Sequence, residues 1–134
     1  MPQPVLRRAA RKTRLGVIHF GSTSPAMAEA LDVLTESGIH VDALRLRAFP
    51  FPQSVRDFLD SHDEVFVVEQ NRDAQMHSLL VNELEVDPAR LVRVLHYDGT
   101  PITARFITRA ITQHVHAEVV TPHAGAARAR EKTA

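Results

Sequence analysis

The 134-residue chain contains no cysteine. That excludes disulfides, thiolate zinc sites and cysteine-ligated iron–sulfur clusters, and it suits a reducing compartment, so a cytoplasmic location is expected. No apolar run approaches the roughly 18 residues needed to cross a bilayer. The opening Met1-Pro-Gln-Pro-Val-Leu-Arg-Arg lacks the apolar stretch of a signal peptide. Neither G-x-G-x-x-G nor G-x-x-x-x-G-K-[ST] occurs, which argues against a dinucleotide or nucleoside triphosphate site of those types. Eight histidines are present, but none in an H-E-x-x-H spacing, so a metal site would need assembly from distant elements.

Charge is balanced in sum, with a formal net charge of +0, but not in distribution. Arg7, Arg8, Arg11, Lys12 and Arg14 precede residue 15 with no acid among them, whereas residues 15–120 are net acidic. An acidic body argues against a broad nucleic-acid surface. Residues 1–14 show no period and read as a basic arm or linker. Residues 121–134, with Pro122, Gly125 and an Ala/Arg/Lys mixture, read as a flexible tail.

The body between them, 15–120, alternates strand and helix. Leu15–Phe20 is a mostly apolar run closed by Gly21-Ser-Thr-Ser24, and Ser24-Pro25 reads as an N-cap with proline at the first helical position. Met27, Ala30, Leu31 and Leu34 recur at helical spacing, and Gly38 stops that helix. Ile39–Leu44 alternates as a second strand. Pro50 and Pro52 stiffen a connector around Phe49 and Phe51, followed by a helix with Val55, Phe58 and Leu59 inward. Val65–Val68 is the clearest buried strand. A helix over about 72–84 buries Met76, Leu79 and Leu80; Leu91–Leu95 is a further strand. Thr100-Pro101 repeats the cap-and-proline start before Ile102, Phe106, Ile107, Ala110 and Ile111, and Glu118–Val120 is either a fifth strand or tail. This order predicts a three-layer α/β/α sandwich around a mostly parallel sheet of four to five strands, with Val65–Val68 central and covered on both faces.

In such sheets ligands and partners gather at the C-terminal ends of the strands. Three segments fall there. Gly21, Ser22 and Thr23 begin a helix, where amides and hydroxyls can hold an anion or simply form a turn and cap. Glu69, Gln70, Asn71, Arg72 and Asp73 follow a buried strand directly. Asn71 or Asp73 suits a helix cap, and Glu69 and Arg72 suit hydrogen bonds to another domain. His96 and Asp98 end the next strand, with Asp98-Gly99 a turn signature and His96 either a base or a hydrogen-bonded strand end. No residue is assigned a catalytic, cofactor or metal role; the ten are an interface or ligand rim.

Gly16-Val-Ile-His-Phe-Gly-Ser-Thr23, Leu44-Arg-Leu-Arg-Ala-Phe-Pro-Phe-Pro52, Val67-Val-Glu-Gln-Asn-Arg-Asp73, Leu95-His-Tyr-Asp-Gly99 and Pro101-Ile-Thr-Ala-Arg105, in this order and at these spacings, carry a resemblance. Over about residues 14 to 112 the chain resembles the C-terminal domain of the alpha subunit of 2-oxoacid:ferredoxin oxidoreductases, most closely the 2-oxoglutarate type. The resemblance implies a transketolase C-terminal-like fold, whose first strand can run antiparallel and would then carry Gly21–Ser24 off the rim. It implies a structural and assembly role in a complex that converts a 2-oxoacid and CoA to acyl-CoA and CO2 while reducing ferredoxin. Thiamine diphosphate, Mg2+ and iron–sulfur clusters belong to that full complex and not to this chain. The implied partners are the remaining alpha-subunit domain and the beta subunit; self-association as a two-fold dimer is the alternative for the isolated chain. Ala74 departs from the family, which usually has glycine after Asn-Arg-Asp, and leads us to expect an ordinary turn there. A free-standing small-molecule or nucleotide-binding module on the same fold is the competing reading.

Overall fold

A computed structural model describes residues 3–120. The elements run β1 (Val5–Arg7), β2 (Leu15–Phe20), α1 (Ser24–Glu36), β3 (Asp42–Leu46), α2 (Gln53–Asp60), β4 (Glu64–Glu69), α3 (Gln75–Leu84), β5 (Leu91–Leu95) and α4 (Ala104–Val120). They form one five-stranded sheet in the order β1-β3-β2-β4-β5. Strands β2 to β5 are mutually parallel, and β1 pairs antiparallel with β3.

Helices cover both faces. Val17, Ala43, Phe66, Val68 and Val94 turn one face of the sheet toward Met27, Ala30, Leu31 and Leu34 of α1 and Ile107 and Ile111 of α4. Ile18, Leu44, Val65, Val67 and Leu91 turn the other toward Val55, Phe58 and Leu59 of α2 and Leu80 of α3. The run Val65–Val68 alternates between the two cores, with none of the four side chains more than 1% exposed. Burying each contributes about 1.5–3 kcal/mol, which is why an unbroken apolar run reads as an interior strand.

Several local expectations are corrected. Residues 1–14 are not only an arm. Val5, Leu6 and Arg7 pair with Arg45, Leu44 and Ala43; Arg7 forms an ion pair with Asp32 at 2.6 Å, and the Ala9 amide donates to Asp42 Oδ1 at 2.7 Å. A three-residue, solvent-exposed edge strand has no periodicity to reveal it. The antiparallel strand is therefore this added one, while β2 stays parallel to both neighbours and keeps Gly21–Ser24 on the rim. Strand β3 lies a few residues later than Ile39–Leu44. Helix α1 begins at Ser24 after a 3-10 turn, Gly21–Thr23, so Thr23 rather than Ser24 occupies the cap position, without a side-chain capping bond. Helix α4 begins beyond Thr100-Pro101, where Thr103 Oγ1 accepts the Phe106 amide at 3.1 Å. Glu118–Val120 continues α4 and is not a strand. The tail assigned to 121–134 lies outside the described residues. Among the described residues no helix is long and apolar enough to cross a membrane.

Candidate functional site

The strand order reverses between β2 and β4: the chain passes from β2 outward to β3, then returns to the other side. The C-terminal ends of β2 and β4 thus flank a topological switch point, the usual crevice of an open parallel sheet. Both ends carry polar segments, and the structure joins them. Gln70 Nε2 donates to Ser22 Oγ at 2.9 Å and to Thr23 Oγ1 at 3.0 Å. On the other side the His96 amide donates to the Glu69 carbonyl at 2.9 Å. These bonds link the three segments along the C-terminal ends of β2, β4 and β5.

Glu69 is completely buried, and its carboxylate serves its own chain. Oε1 accepts the Met76 amide at 2.6 Å and Asn71 Nδ2 at 3.1 Å, and Oε2 accepts the His77 amide at 3.0 Å. Met76 and His77 lie in the first turn of α3, whose amides have no intrahelical acceptor. A carboxylate is the strongest available acceptor there, and it also faces the positive end of the helix dipole. Asn71 Oδ1 takes the Gln75 amide at 3.3 Å, so capping is divided between Asn71 and Glu69, while Asp73 has no part in it. The expectation that Glu69 bonds to another domain is corrected: the chain satisfies it internally.

Ala74 precedes α3 with φ 51° and ψ 49°, in the left-handed region that favours glycine. The expectation of an ordinary turn there is also corrected. The backbone needs this bend to aim three amides at Asn71 and Glu69, and alanine adopts it at a cost of about 1–2 kcal/mol.

Arg72 and Asp73 are exposed and face each other at 3.7 Å, a pair that contributes little energy in water and stays open to other partners. Asp98 Oδ1 accepts the Thr100 amide at 2.9 Å and the Thr100 hydroxyl at 2.6 Å. These bonds, the hydroxyl's first, hold its carboxyl below the usual range. His96 packs edge-on against Phe106, ring centroids 4.8 Å apart, with Nε2 3.5 Å from Asp98 Oδ1. At the flanks, Phe49 after β3 and Tyr97 after β5 are 55% and 59% exposed, unusual for aromatic side chains.

Sequence reasoning missed the buried histidines. His19, near the end of β2, is driven down to about 4 by burial and then by the Arg45 guanidinium. His77 is held below its ordinary value by burial, then by Arg93. At the opposite end of the sheet His62 Nε2 meets Asp42 Oδ2 at 2.9 Å, and Nδ1 meets the Phe58 carbonyl at 2.6 Å. The signal for that pair was Gly16: any Cβ there would stand 2.9 Å from the Phe58 ring and 3.2 Å from His62 Cγ.

Comparison with known proteins gives a consistent picture. The family model for the pyruvate:ferredoxin oxidoreductase core domain II matches residues 14–107. The chain is 28% identical over 100 residues to 2-oxoacid:ferredoxin oxidoreductase 2, subunit alpha, of Aeropyrum pernix; the match covers 72% of this chain and only 15% of that subunit. Among solved structures it is similar to 2-oxoglutarate:ferredoxin oxidoreductase from Magnetococcus marinus, solved with 2-oxoglutarate, coenzyme A and succinyl-CoA bound. The TM-score is 0.75 at 22% identity, over 84% of this chain and 20% of that one. The alpha chain of a probable 2-oxoacid ferredoxin oxidoreductase from Thermoplasma acidophilum matches with TM-score 0.56 and 25% identity, over 85% of this chain and 97% of that one. An inactive beta4 tetramer of a split gene transketolase shares the fold, with TM-score 0.66 and 17% identity over 83% of this chain and 40% of that one.

Proposed function

The chain belongs to the pyruvate:ferredoxin oxidoreductase core domain II family, and on that premise we propose that it is a non-catalytic assembly domain of a 2-oxoacid:ferredoxin oxidoreductase alpha subunit, of the 2-oxoglutarate type. We take the domain to run from the edge strand β1 through α4. In this reading the complete complex converts a 2-oxoacid and CoA to acyl-CoA and CO2 and reduces ferredoxin. The remaining alpha-subunit domain and the beta subunit carry thiamine diphosphate, Mg2+ and the iron–sulfur clusters.

One observation carries the proposal. The polar groups of the rim are engaged within the chain, while the aromatics at its flanks stand in water. Glu69 cannot act as a base without releasing the first turn of α3, and Gln70 is tied to Ser22 and Thr23. A metal–diphosphate needs carboxylates free to ligate the cation. Of the rim's acids, Glu69 is held by three donors, Asp98 by its own turn, and Asp73 is exposed beside Arg72. This donor set does not fit that group. Phe49 and Tyr97, by contrast, are residue types that anchor interfaces, and Arg72 can exchange Asp73 for a partner's carboxylate.

The test is binding of the remaining alpha-subunit domain and the beta subunit, followed by light scattering and affinity capture. The wild-type chain is expected to bind, and Tyr97→Ala and Arg72→Ala to weaken binding by about tenfold or more each. Unchanged binding in both variants would remove the rim from the interface. Titration with thiamine diphosphate and Mg2+ is expected to give no tight stoichiometric binding; a sharp isotherm would overturn the non-catalytic reading. The switch-point position of the rim favours a second reading, a free-standing small-molecule or nucleotide-binding module, and a monomer that ignores both subunits yet retains a small molecule would establish it.

A further inference from the structure

At the end of the sheet opposite the rim, three metal-ligating side chains converge from two elements. Glu64 opens β4, and His114 and Glu118 stand one turn apart on α4, hence on one face. His114 Nε2 lies 2.9 Å from Glu64 Oε2 and 3.4 Å from Glu118 Oε1. The three ligand atoms all fall within 4.8 Å of one another. A tetrahedral Zn2+ with bonds of about 2.0–2.2 Å places its ligands about 3.3–3.6 Å apart. The separations of 2.9 Å and 3.4 Å lie just below and within that range, and the two carboxylates lie within 4.8 Å of each other, so modest side-chain adjustments suffice.

The scaffold is rigid. Glu64 is held in the sheet by its pairing with Leu15. The His114 ring lies edge-on to the fully buried Phe66, centroids 5.3 Å apart at 87°, which helps fix its orientation. The charge is unbalanced, because two carboxylates converge on one imidazole. A divalent cation between the two carboxylates would offset that charge. The side chain of Glu118 is 54% exposed, so a fourth position can face water.

We propose that Glu64, His114 and Glu118 form a three-ligand Zn2+ site that pins the end of α4 to the start of β4. One imidazole nitrogen and two carboxylate oxygens suit Zn2+ better than Mg2+, which demands octahedral oxygen coordination. The site is remote from the rim and independent of the role proposed for it.

The experiment is calorimetric titration of the chelator-treated chain with ZnCl2, paired with thermal unfolding with and without the ion. One Zn2+ per chain is expected, with a raised unfolding midpoint. His114→Ala should abolish both effects. Glu64→Gln and Glu118→Gln should each weaken binding at least about tenfold, since even outer-shell partners of a metal cost that much. His116→Ala, an exposed histidine on the same helix, should leave both unchanged, and circular dichroism checks that each variant is folded. X-ray absorption of the wild-type complex should show mixed nitrogen and oxygen ligation at about 2.0–2.2 Å. No saturable binding by the wild type, or stoichiometric binding that His114→Ala leaves intact, overturns the proposal.

Discussion

Glu69 Oε1 accepts the backbone amide of Met76 at 2.6 Å, so the last residue of one strand closes the first turn of the next helix across the five-residue loop 70–74. Replacing Glu69 with alanine leaves that amide and the His77 amide without acceptors in a buried place. Glu69→Ala should lower unfolding stability by about 2–4 kcal/mol, and Glu69→Gln by less, because the amide oxygen retains one acceptor. Urea unfolding at pH 7 measures both. A cost of a few tenths of a kcal/mol for the alanine variant would show that Asn71 and solvent cap the helix unaided.

His19 makes stability depend on pH. Its folded value is about 4 against 6.5 for the free imidazole, so between these values the unfolded chain binds more protons than the native one. The contribution is fully present above pH 6.5 and is lost as pH falls toward 4, amounting to about 3 kcal/mol in all. The groups around it are the Arg45 guanidinium and the Ser24 hydroxyl, whose oxygen lies 3.4 Å from Nδ1. His19→Leu should lose less stability than wild type between pH 7 and pH 4.5. Parallel curves for the two proteins would show that His19 does not carry the dependence.

Ala74 and Ala30 are both buried alanines, and glycine should cost less at the first than at the second. At Ala74 glycine removes left-handed strain of about 1–2 kcal/mol, which offsets its greater unfolded-state freedom and the lost methyl. Ala74→Gly should therefore change stability by no more than about 1 kcal/mol in either direction. Ala30→Gly, inside α1, has no strain to relieve and should cost at least about 1 kcal/mol. Equal losses at the two positions would mean that the strain at Ala74 is negligible.

Gly16→Ala should be destabilising by about 1–3 kcal/mol, because the new methyl meets the ring of Phe58. That ring lies tilted against His62, with centroids 4.4 Å apart at 41°, and cannot retreat freely. The same substitution made with Phe58→Leu should cost less, a coupling that a double-mutant cycle measures directly. Strict additivity would place the clash elsewhere.

How far the sequence alone reaches can be judged residue by residue. Val65–Val68 and the helical stripe Met27, Ala30, Leu31, Leu34 declare themselves because burial on two faces, or on one helical face, leaves a periodic trace. The rim followed from the same logic, since parallel strands bring their ends together. Chain starts were harder. Pro25 and Pro101 mark where helices are permitted to begin, but α4 starts only at Thr103's cap, because local preference yields to packing. The role of Glu69 was hidden because its partners are backbone amides, which every residue has. The strand Val5–Arg7 was hidden because pairing with β3 is a property of the neighbour and leaves no mark in three residues.

That edge strand has a practical consequence. Because β1 runs against β3, Val5 sits beside Arg45 near the rim end, and the chain then descends to Arg7 beside Ala43. Helix α4 begins after β5 at the rim and ends near Glu64, at the far side of the sheet. An affinity tag or surface tether fused ahead of residue 4 would therefore stand near the rim. Binding measurements should use an untagged chain, and immobilised formats should be compared in both orientations.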